Sequence, residues 1–361
     1  MYNICVTLNK YRIQPMNKTV KSEKKATLKD VAREAGVSVM TVSYVLNGKK
    51  LNHASEENQR RIFAAADKLS YRPNLNARRL VAPKNNLIGL LIDSQAPAFY
   101  KDVMMKLERI SFTKGYRLQI GMMHEDLQSI RHYVDDFLGS GIDSVICLSH
   151  NYPEFGGQIP VLFESFKHVV FLEEPQQPTH FPVVAADHYT NYFNAVSELL
   201  RRGRRRIFSC RRHYYDRAFC EGRRGLFAAY KAAGIPAEEH FWWSFDSNSW
   251  HDSEITIREL AKILPQSPDA LIIEEDESMF WTLRALNKQG YKVPQDIALF
   301  SANLSRYGKA ATPGFSGFDY NSEVMSRRLM DHLLDSMKRG DEDRTAPCDL
   351  VPANIIWQES C

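Results

Sequence analysis

The chain has 361 residues, of which 44% are hydrophobic and 25% charged. This composition predicts a soluble globular protein, and the length predicts two or three domains. No apolar run approaches the roughly 18 residues of a membrane-spanning helix, and the N-terminus lacks the features of a secretory signal, so a cytoplasmic location is expected. The six cysteines form no C-x-x-C pair and no spacing typical of a zinc site, so neither a metal nor a cofactor is expected.

The charge is unevenly distributed along the chain. Residues 1–84 contain 17 Lys and Arg against 6 Asp and Glu, whereas the remainder contains 30 against 37. A basic front on an acidic body is typical of a protein whose first part binds nucleic acid. A basic disordered arm would account for residues 1–26, but not for the patterned segment that follows them.

The segment 28–69 predicts three short helices. Gly36 suits the left-handed backbone of a helix end, and Ser38 and Ser55 can each cap the helix that follows. The inward-facing positions, at helical spacing, are Leu28, Val31, Ala32, Ala35, Val42, Val45, Leu46, Ile62, Phe63, Ala66 and Leu69. This arrangement is typical of a helix-turn-helix domain, in which the second helix enters the major groove of DNA.

The segment 74–81 predicts one or two further helical turns, after Pro73 has ended the third helix. It carries Arg78, Arg79 and an outward-facing Leu80. Because so short a helix is marginal in water, we expect it to become ordered on DNA.

Beyond residue 86, short apolar runs alternate with amphipathic helical segments. The predicted strands are 87–92, 116–123, 144–149, 168–173, 183–186, 206–210, 241–245, 270–275 and 297–302, and helices are predicted at 99–114, 189–202, 218–234 and 277–290. This alternation predicts an α/β core of two parallel-sheet lobes with helices on both faces of each sheet. We therefore divide the chain into a basic, disordered extension (1–26), an all-α helix-turn-helix headpiece (27–73), a hinge helix and linker (74–86) and a two-lobed core (87–361).

Two motifs in the first part of the chain, T-L-K-D-V-A-R-E-A-G-V-S-V-M-T-V-S-Y-V-L-N-G (27–48) and Y-R-P-N-L-N-A-R-R-L (71–80), resemble the headpiece and hinge of the LacI/GalR (lactose-repressor-like) family. The segments 225–235 and 290–302 resemble parts of that family's periplasmic-binding-protein-like core. The resemblance covers nearly the whole chain. It implies a transcription regulator, most simply a repressor, that binds a palindromic operator as a homodimer and responds to a small-molecule effector between the lobes.

The resemblance also implies roles for individual residues in DNA binding. Val39, Met40 and Tyr44 would read base edges, and Leu80 would wedge into the minor groove at the operator centre. The other implied contacts are Thr27, Ser38, Thr41, Ser43, Asn47, Tyr71, Asn74, Ala77 and Arg78. The family usually has Arg at the position of Tyr44. Val and Met cannot form bidentate hydrogen bonds with bases but pack well on the thymine methyl group, so we hypothesise half-sites that depend on thymine contacts.

The expected effector site lies in the cleft beyond the carboxyl ends of the strands. The candidate residues are Gln95, Phe99, His124, Asp126, Asp187, Arg217, Asp276 and Asn303. The resemblance implies that the chain passes between the lobes near residues 185, 315 and 343. It also implies that a helix at 320–339 returns to the first lobe and that a last strand at 350–357 joins the second.

The sequence departs from the family pattern at two cleft positions. Gly222 stands where the family has an effector-clamping Arg, and Asn303 stands where it has a carboxylate. Arg217, Arg223 or Arg224 could substitute for the missing cation. Three alternatives remain open, namely a different effector, no effector, or a rearranged sugar site. We favour an atypical effector, because the strongest charge-assisted bonds to a sugar are missing.

Other features point to no further activity. The basic run 201–206 could bind nucleic acid, but its cations follow a predicted helix, where they complement the helix dipole. The acid pairs Glu173-Glu174 and Glu274-Glu275 follow predicted strands, where loop acids are common. No hydrolase, phosphate-loop or metalloprotease motif occurs, so no enzymatic activity is expected. The core alone would also suit a solute-binding protein for uptake, which is the alternative function, but the basic headpiece argues against it.

Overall fold

The computed structural model describes residues 26–46, 54–72, 86–124, 126–150, 152, 154–212, 217–245, 253–339 and 348–361. The chain divides into two compact units, one before and one after the boundary at residues 84 and 85. The predicted hinge helix 74–81 and residues 1–25 of the predicted extension 1–26 lie outside the described residues. Within those residues, no helix is both long and apolar enough to cross a membrane.

The first unit, the headpiece, contains three helices, α1 (Leu28–Ala35), α2 (Val39–Leu46) and α3 (Glu56–Lys68). Thr27 and Asp30 form a reciprocal capping box at the start of α1, and Gly36 ends this helix with a φ of 66°. The Ser55 side chain caps α3, as its position predicts. The core of the headpiece consists of Val31, Ala32, Ala35, Val42, Val45, Ile62, Ala65 and Ala66.

The orientation of α3 differs from the prediction at one position. Phe63 was expected to face inward, but it is 49% exposed. The helix instead packs on its neighbours through Ile62, Ala65 and Ala66, which lie three and four residues apart. Phe63 follows Ile62 by about 100° of helical rotation, which turns its side chain away from this contact.

The first lobe of the second unit is built on a parallel six-stranded sheet in the order β11-β5-β4-β3-β1-β2. Its strands are β1 (Leu87–Asp93), β2 (Arg117–Met123), β3 (Ser144–Cys147), β4 (His168–Leu172), β5 (Val183–Ala186) and β11 (Cys348–Val351). Its helices are α4 (Ala98–Thr113), α5 (Leu127–Gly139), α6 (Ile159–Leu162) and α12 (Ser322–Arg339). The strands β1, β3, β4 and β5 are almost entirely buried, which explains their continuous apolar runs.

The second lobe is built on a six-stranded sheet in the order β12-β10-β9-β8-β6-β7, in which only β12 pairs antiparallel. Its strands are β6 (Ile207–Arg212), β7 (Trp242–Phe245), β8 (Ala270–Ile273), β9 (Ala298–Ser301), β10 (Ser316–Asp319) and β12 (Asn354–Ile356). Its helices are α7 (His188–Arg201), α8 (Arg217–Ala232), α9 (Ser253–Ile263), α10 (Asp276–Lys288) and α11 (Arg306–Lys309). The sequence did not predict β10, because Ser-Gly-Phe-Asp is neither an apolar run nor rich in β-branched residues.

The chain passes between the lobes after β5, after β10 and after β11, whereas the sequence placed the last two passages near 315 and 343. As predicted, α12 packs on the first lobe, where the Ser326 hydroxyl donates to the Val103 carbonyl over 3.2 Å. The predicted last strand 350–357 is in fact divided between the two sheets. Pro352 lies at the division, and because it has no N–H group it interrupts strand pairing there.

The basic run 201–206 serves the fold of the second lobe. Arg204 donates to the carbonyl oxygens of Asp269 and Pro294, over 3.1 and 2.6 Å. Arg206 donates to the carbonyl of Gln266 over 2.9 Å. Because these guanidinium groups donate hydrogen bonds to backbone carbonyl groups of the second lobe, the run has a structural role.

Candidate functional site

Helix α2 presents two different faces. Val42 and Val45 are buried in the headpiece core, whereas Val39 and Met40 in the first turn are 40% and 66% exposed. Ser43 and Tyr44 follow Val39 and Met40 by four residues and therefore extend the same face along the helix. This face combines large apolar groups with two hydroxyl groups.

Small polar residues fix the start of α2. The Ser38 hydroxyl accepts a hydrogen bond from the Thr41 backbone N–H over 3.1 Å and lies 2.8 Å from the Thr41 hydroxyl. This capping holds the first turn, which carries Val39 and Met40, in helical geometry. At the start of α1, the Thr27 side chain is exposed.

Of the other predicted DNA contacts, Tyr71 lies among the described residues. Tyr71 is half-buried against the headpiece core, and burial raises the pKa of its phenol. Asn47, Asn74, Ala77, Arg78 and Leu80 lie outside the described residues. The structure therefore brings together the α1–α2 part of the predicted site on one small unit.

In the second unit, three predicted effector residues follow the carboxyl ends of strands, and a fourth, Phe99, lies in the first turn of α4. Gln95 follows β1 and is exposed, and the exposed His124 follows β2, with its Nδ1 atom 3.3 Å from the Ser94 hydroxyl. Phe99 packs edge to face on Tyr320, with ring centroids 5.6 Å apart. Asn303 follows β9 and is half-buried. Arg217 begins α8, but its side chain lies outside the described residues.

Two predicted effector carboxylates are helix caps. Asp126 accepts a hydrogen bond from the Ser129 N–H over 2.6 Å, which lowers the pKa of its carboxyl. Asp187 accepts from the Thr190 N–H over 3.0 Å at the start of α7. One oxygen atom of each carboxylate is thereby engaged within the protein.

Asp276 is buried within the second lobe. Its carboxylate accepts from the Ser301 hydroxyl over 2.8 Å and from the backbone N–H groups of Ser305 and Gly308 over 2.6 and 3.1 Å. Burial nevertheless raises the pKa of this carboxyl. These bonds give Asp276 a structural role, because they join the end of β9 and the start of α11 to the start of α10, in contrast to the cleft position that the sequence predicts.

The structure also places polar residues between the lobes that sequence reasoning assigned to loops or overlooked. The Glu173 carboxylate, just beyond β4, lies 3.1 Å from His188 Nε2 and accepts from the Ala186 N–H. In the second lobe, the Arg211 guanidinium lies 3.8 Å from the Glu274 carboxylate. Each carboxylate lies at the carboxyl end of a predicted strand, and this position was the signal in the sequence.

Tyr320 lies at the second passage between the lobes and is buried. Burial raises the pKa of its phenol, an effect that the positive charge of Arg211 opposes and the negative charge of Glu173 reinforces. Groups from both lobes therefore act electrostatically on this side chain. Its ring also contacts His188, at a centroid distance of 5.9 Å.

Two cavities open at this level of the second unit. A small one of about 30 Å³ lies at the ends of β1, β3 and β4 and has room for about one water molecule. On its wall the Tyr152 hydroxyl donates to Asp93 over 2.5 Å, and the His150 ring lies 2.7 Å from the Leu172 carbonyl. A larger one of about 250 Å³ lies among β4, β5, β11, α7 and α8. Over the described part of the chain, no group of three His, Cys, Asp or Glu residues could hold a metal ion.

Comparison with known families finds a match within each unit. Residues 27–74 match the model of bacterial regulatory proteins of the lacI family, and residues 196–361 match a periplasmic binding protein-like domain. The chain is 28% identical over 324 residues to the HTH-type transcriptional repressor PurR of Escherichia coli O139:H28, which covers 88% of this chain and 92% of that protein. PurR of Klebsiella pneumoniae is 27% identical over the same share of each chain.

Solved structures share the fold over most of the chain. The lac repressor dimer bound to operator and the anti-inducer ONPF matches with a TM-score of 0.78 at 18% identity, over 93% of this chain and 99% of that one. The complex of the transcriptional regulator CelR with cellobiose matches with a TM-score of 0.67 at 22% identity, over 93% and 100%. The likeness therefore includes both the headpiece and the two-lobed core.

Proposed function

We propose that this chain, which belongs to the lacI family of bacterial regulatory proteins, represses transcription by inserting α2 into the major groove of a palindromic operator. The observation that carries the proposal is the exposed face of α2 on a capped, three-helix headpiece. The similarity to PurR repressors extends over both units, which disfavours a solute-binding protein for uptake.

The exposed chemistry of α2 suggests which bases it reads. Val39 and Met40 offer apolar surface, and in the major groove the apolar group of a base pair is the thymine methyl. We infer that thymines in each half-site face this first turn. Thr27, Ser38, Thr41 and Ser43 supply hydroxyl groups for the neighbouring phosphates.

The test first selects bound operators from a random pool and then replaces each half-site thymine by uracil. This exchange removes only the methyl group, so each thymine read by α2 should lose about 1 kcal/mol of binding free energy. In Met40→Ala the uracil effect should shrink at one position, whereas in the exposed control Phe63→Ala it should persist. Selected operators without half-site thymines, or an unchanged affinity for uracil DNA, would contradict this readout.

The hinge contacts belong to the same proposal. Leu80 would wedge between base pairs at the operator centre, while Asn47, Tyr71, Asn74, Ala77 and Arg78 would contact the backbone around it. The proposed division of the chain remains 1–26, 27–73, 74–86 and 87–361. Because operator DNA lies in the bacterial cytoplasm, the protein would act there, without catalytic activity.

A palindromic operator requires a two-fold dimer. Among the large exposed apolar side chains of the core, seven lie on β2 with α4 and on α10 with α11, namely Met105, Phe112, Ile120, Met122, Phe280, Trp281 and Tyr307. The strand β2 is at the edge of its sheet. A homodimer would bury both apolar surfaces, and one of the solved relatives, the lac repressor, is itself a dimer.

The dimer is tested by light scattering during size-exclusion chromatography. Met122→Glu and Phe280→Glu should each shift the mass toward that of one chain, because a buried unpaired carboxylate is costly. Val161→Glu, at an exposed apolar residue of the first lobe, is the matched control. If all three variants keep the wild-type mass, these surfaces do not form the dimer.

The cleft would bind a small effector other than a simple sugar. The hydrogen-bonded pair Glu173–His188 and the ion pair Arg211–Glu274 lie at the level of Tyr320, so charged side chains are present near the positions where Gly222 and Asn303 carry no charge. Gln95, Phe99, His124 and Asn303 remain proposed contacts, with Arg217 from α8 and the carboxylates of Asp126 and Asp187. Titration calorimetry against hexoses and phosphosugars tests this choice, and tight binding of a hexose would overturn it.

A further inference from the structure

The three passages of the chain between the lobes contact one another at the start of α7. The Asp187 backbone N–H, in the first passage, donates to the Val351 carbonyl at the start of the third over 3.0 Å. The His188 ring, which follows Asp187, contacts the Tyr320 ring of the second passage at a centroid distance of 5.9 Å. The passages therefore form one hinge rather than three separate connections.

Glu173, which directly follows β4, has an unusual backbone conformation beside this hinge. Its φ is 65°, in the left-handed region that residues other than Gly, Asn and Asp rarely adopt. Its N–H donates to the Val184 carbonyl over 2.9 Å and is the last backbone bond from β4 to β5. Strained backbone of this kind persists where surrounding contacts hold it, and it is concentrated at functional sites and switch regions.

The Glu173 carboxylate continues the pairing where the backbone ladder stops. In a regular parallel ladder, the Ala186 N–H would donate to the backbone carbonyl of Glu173. It donates instead to the carboxylate Oε1 over 3.1 Å, and the other oxygen, Oε2, lies 3.1 Å from His188 Nε2. The side chains of Glu173 and His188 are 12% and 11% exposed, so little water competes for these bonds. One side chain of the first lobe thus holds the residues on both sides of the first passage.

We propose that Glu173 is the positioning residue of this hinge, because its carboxylate fixes Ala186 and His188 and thereby the two passages that pack on them. The third passage is fixed to the same helix, since the Ala353 N–H donates to the Asn191 side chain of α7 over 2.9 Å. The lobes change orientation through backbone torsions at such passages, and the bonds of Glu173 restrict those torsions. The consequence for operator binding rests on the proposed function, whereas the hinge itself does not.

Hydrogen exchange of the full chain, read at single amides by fragmentation mass spectrometry, tests this proposal. Glu173→Ala should speed exchange at Asp187 and Ala353 roughly tenfold, the effect of losing one hydrogen bond to a charged acceptor. Neither amide bonds to Glu173, and amides at the centres of β3 and β8 should keep their wild-type rates. The matched control is Glu164→Ala, which removes another first-lobe carboxylate beside a histidine, His180, at 3.5 Å. It should leave exchange at the hinge unchanged.

Two further variants separate the carboxylate bonds from the backbone strain. Glu173→Gln can still accept from the Ala186 N–H and donate to the His188 ring, so it should restore slow exchange at the hinge. Glu173→Gly suits a φ of 65° but has no side chain, so its hinge should exchange as fast as that of Glu173→Ala. Its unfolding temperature should be at or above that of Glu173→Ala, which guards against misfolding as the cause.

Four results would each overturn the role of Glu173 in the hinge. These are faster exchange at Ala186 alone, an equal increase at the centres of β3 and β8, slow exchange at the hinge in Glu173→Gly, and an equal increase in Glu164→Ala. Operator binding is measured in parallel on the same variants. A wild-type chain that binds no operator would contradict the proposed function, while the exchange rates would still decide the role of Glu173.

Discussion

The headpiece and the core differ in how much apolar packing supports each functional residue. In the headpiece, eight buried apolar side chains, four of them alanines, hold the three helices together. In the core, large apolar clusters cover two six-stranded sheets, and the polar groups between the lobes come from elements distant in sequence. A single substitution in its small core should therefore destabilise the headpiece strongly, although its functional residues lie close together in the sequence. The core should tolerate single substitutions better, although its functional residues come from distant segments.

The largest effect is expected in the headpiece core. Ile62→Ser should destabilise the headpiece by about 3 kcal/mol or more, because it removes a fully buried side chain and introduces a hydroxyl group. Hydrogen exchange of residues 27–69 should then show an open headpiece, with loss of operator binding and an intact core. The neighbouring Phe63→Ser, on the exposed side of α3, is the matched control. If the two variants show similar hydrogen exchange, the buried and exposed faces of α3 do not differ in their contribution to headpiece stability.

In the core, Asp276→Ala should lower the free energy of unfolding by about 2 kcal/mol, since the partner groups of the carboxylate lose a buried acceptor. Because the role is structural, the loss should appear without any ligand. Asp319→Ala, at a half-buried acid paired with Lys309, should cost less. If Asp276→Ala keeps the wild-type stability but changes the affinity for a ligand, Asp276 contacts the ligand and does not have a structural role.

At the hinge, Leu80→Ser should weaken operator binding by about 2 kcal/mol, because the variant cannot repay the unstacking of base pairs. Binding to DNA of unrelated sequence should hardly change. Fluorescence anisotropy with both DNAs measures the difference. Equal losses on the two DNAs would show that Leu80 does not act as a wedge.

The smallest effect concerns acid stability of the second lobe. Hydrogen bonds from Arg201 and Arg202 lower the pKa of Glu198 from 4.5 to about 2. Because the folded value is the lower one, this pairing stabilises the protein above pH 4.5 and is lost as the pH falls toward 2. Glu198→Gln should therefore lower the unfolding temperature slightly at pH 7 and not at pH 2. A loss of equal size at both pH values would exclude this electrostatic origin.

The sequence was most informative where structure depends on neighbours along the chain. The caps at Ser38 and Ser55, the turn at Gly36 and the buried runs of the parallel strands follow from local spacing. The alternation of strands and helices predicted the two-lobed fold, and the family resemblance supplied the return of α12 to the first lobe.

Contacts between distant residues were beyond sequence reasoning. Asp276 accepts hydrogen bonds from the backbone N–H groups of Ser305 and Gly308. These bonds depend on how α10 and α11 pack together, and no local sequence pattern encodes that packing. The Glu173–His188 pair likewise joins two residues across the first passage between the lobes. Phe63 faces outward because the packing of α3 on α1 and α2 determines the rotation of α3 about its axis.

The division of the C-terminal segment between the two sheets has a consequence for synthesis on the ribosome. Until residues 348–356 have emerged, β5 and β10 each lack one of their two neighbouring strands. Each strand then exposes an edge with unpaired backbone N–H and C=O groups. The headpiece, by contrast, has all three helices once residue 68 is free. A nascent chain would thus carry a folded headpiece before the last strand has been added to either sheet. Newly made molecules should therefore pass through a stage in which the headpiece can bind DNA but the incomplete core cannot yet regulate it.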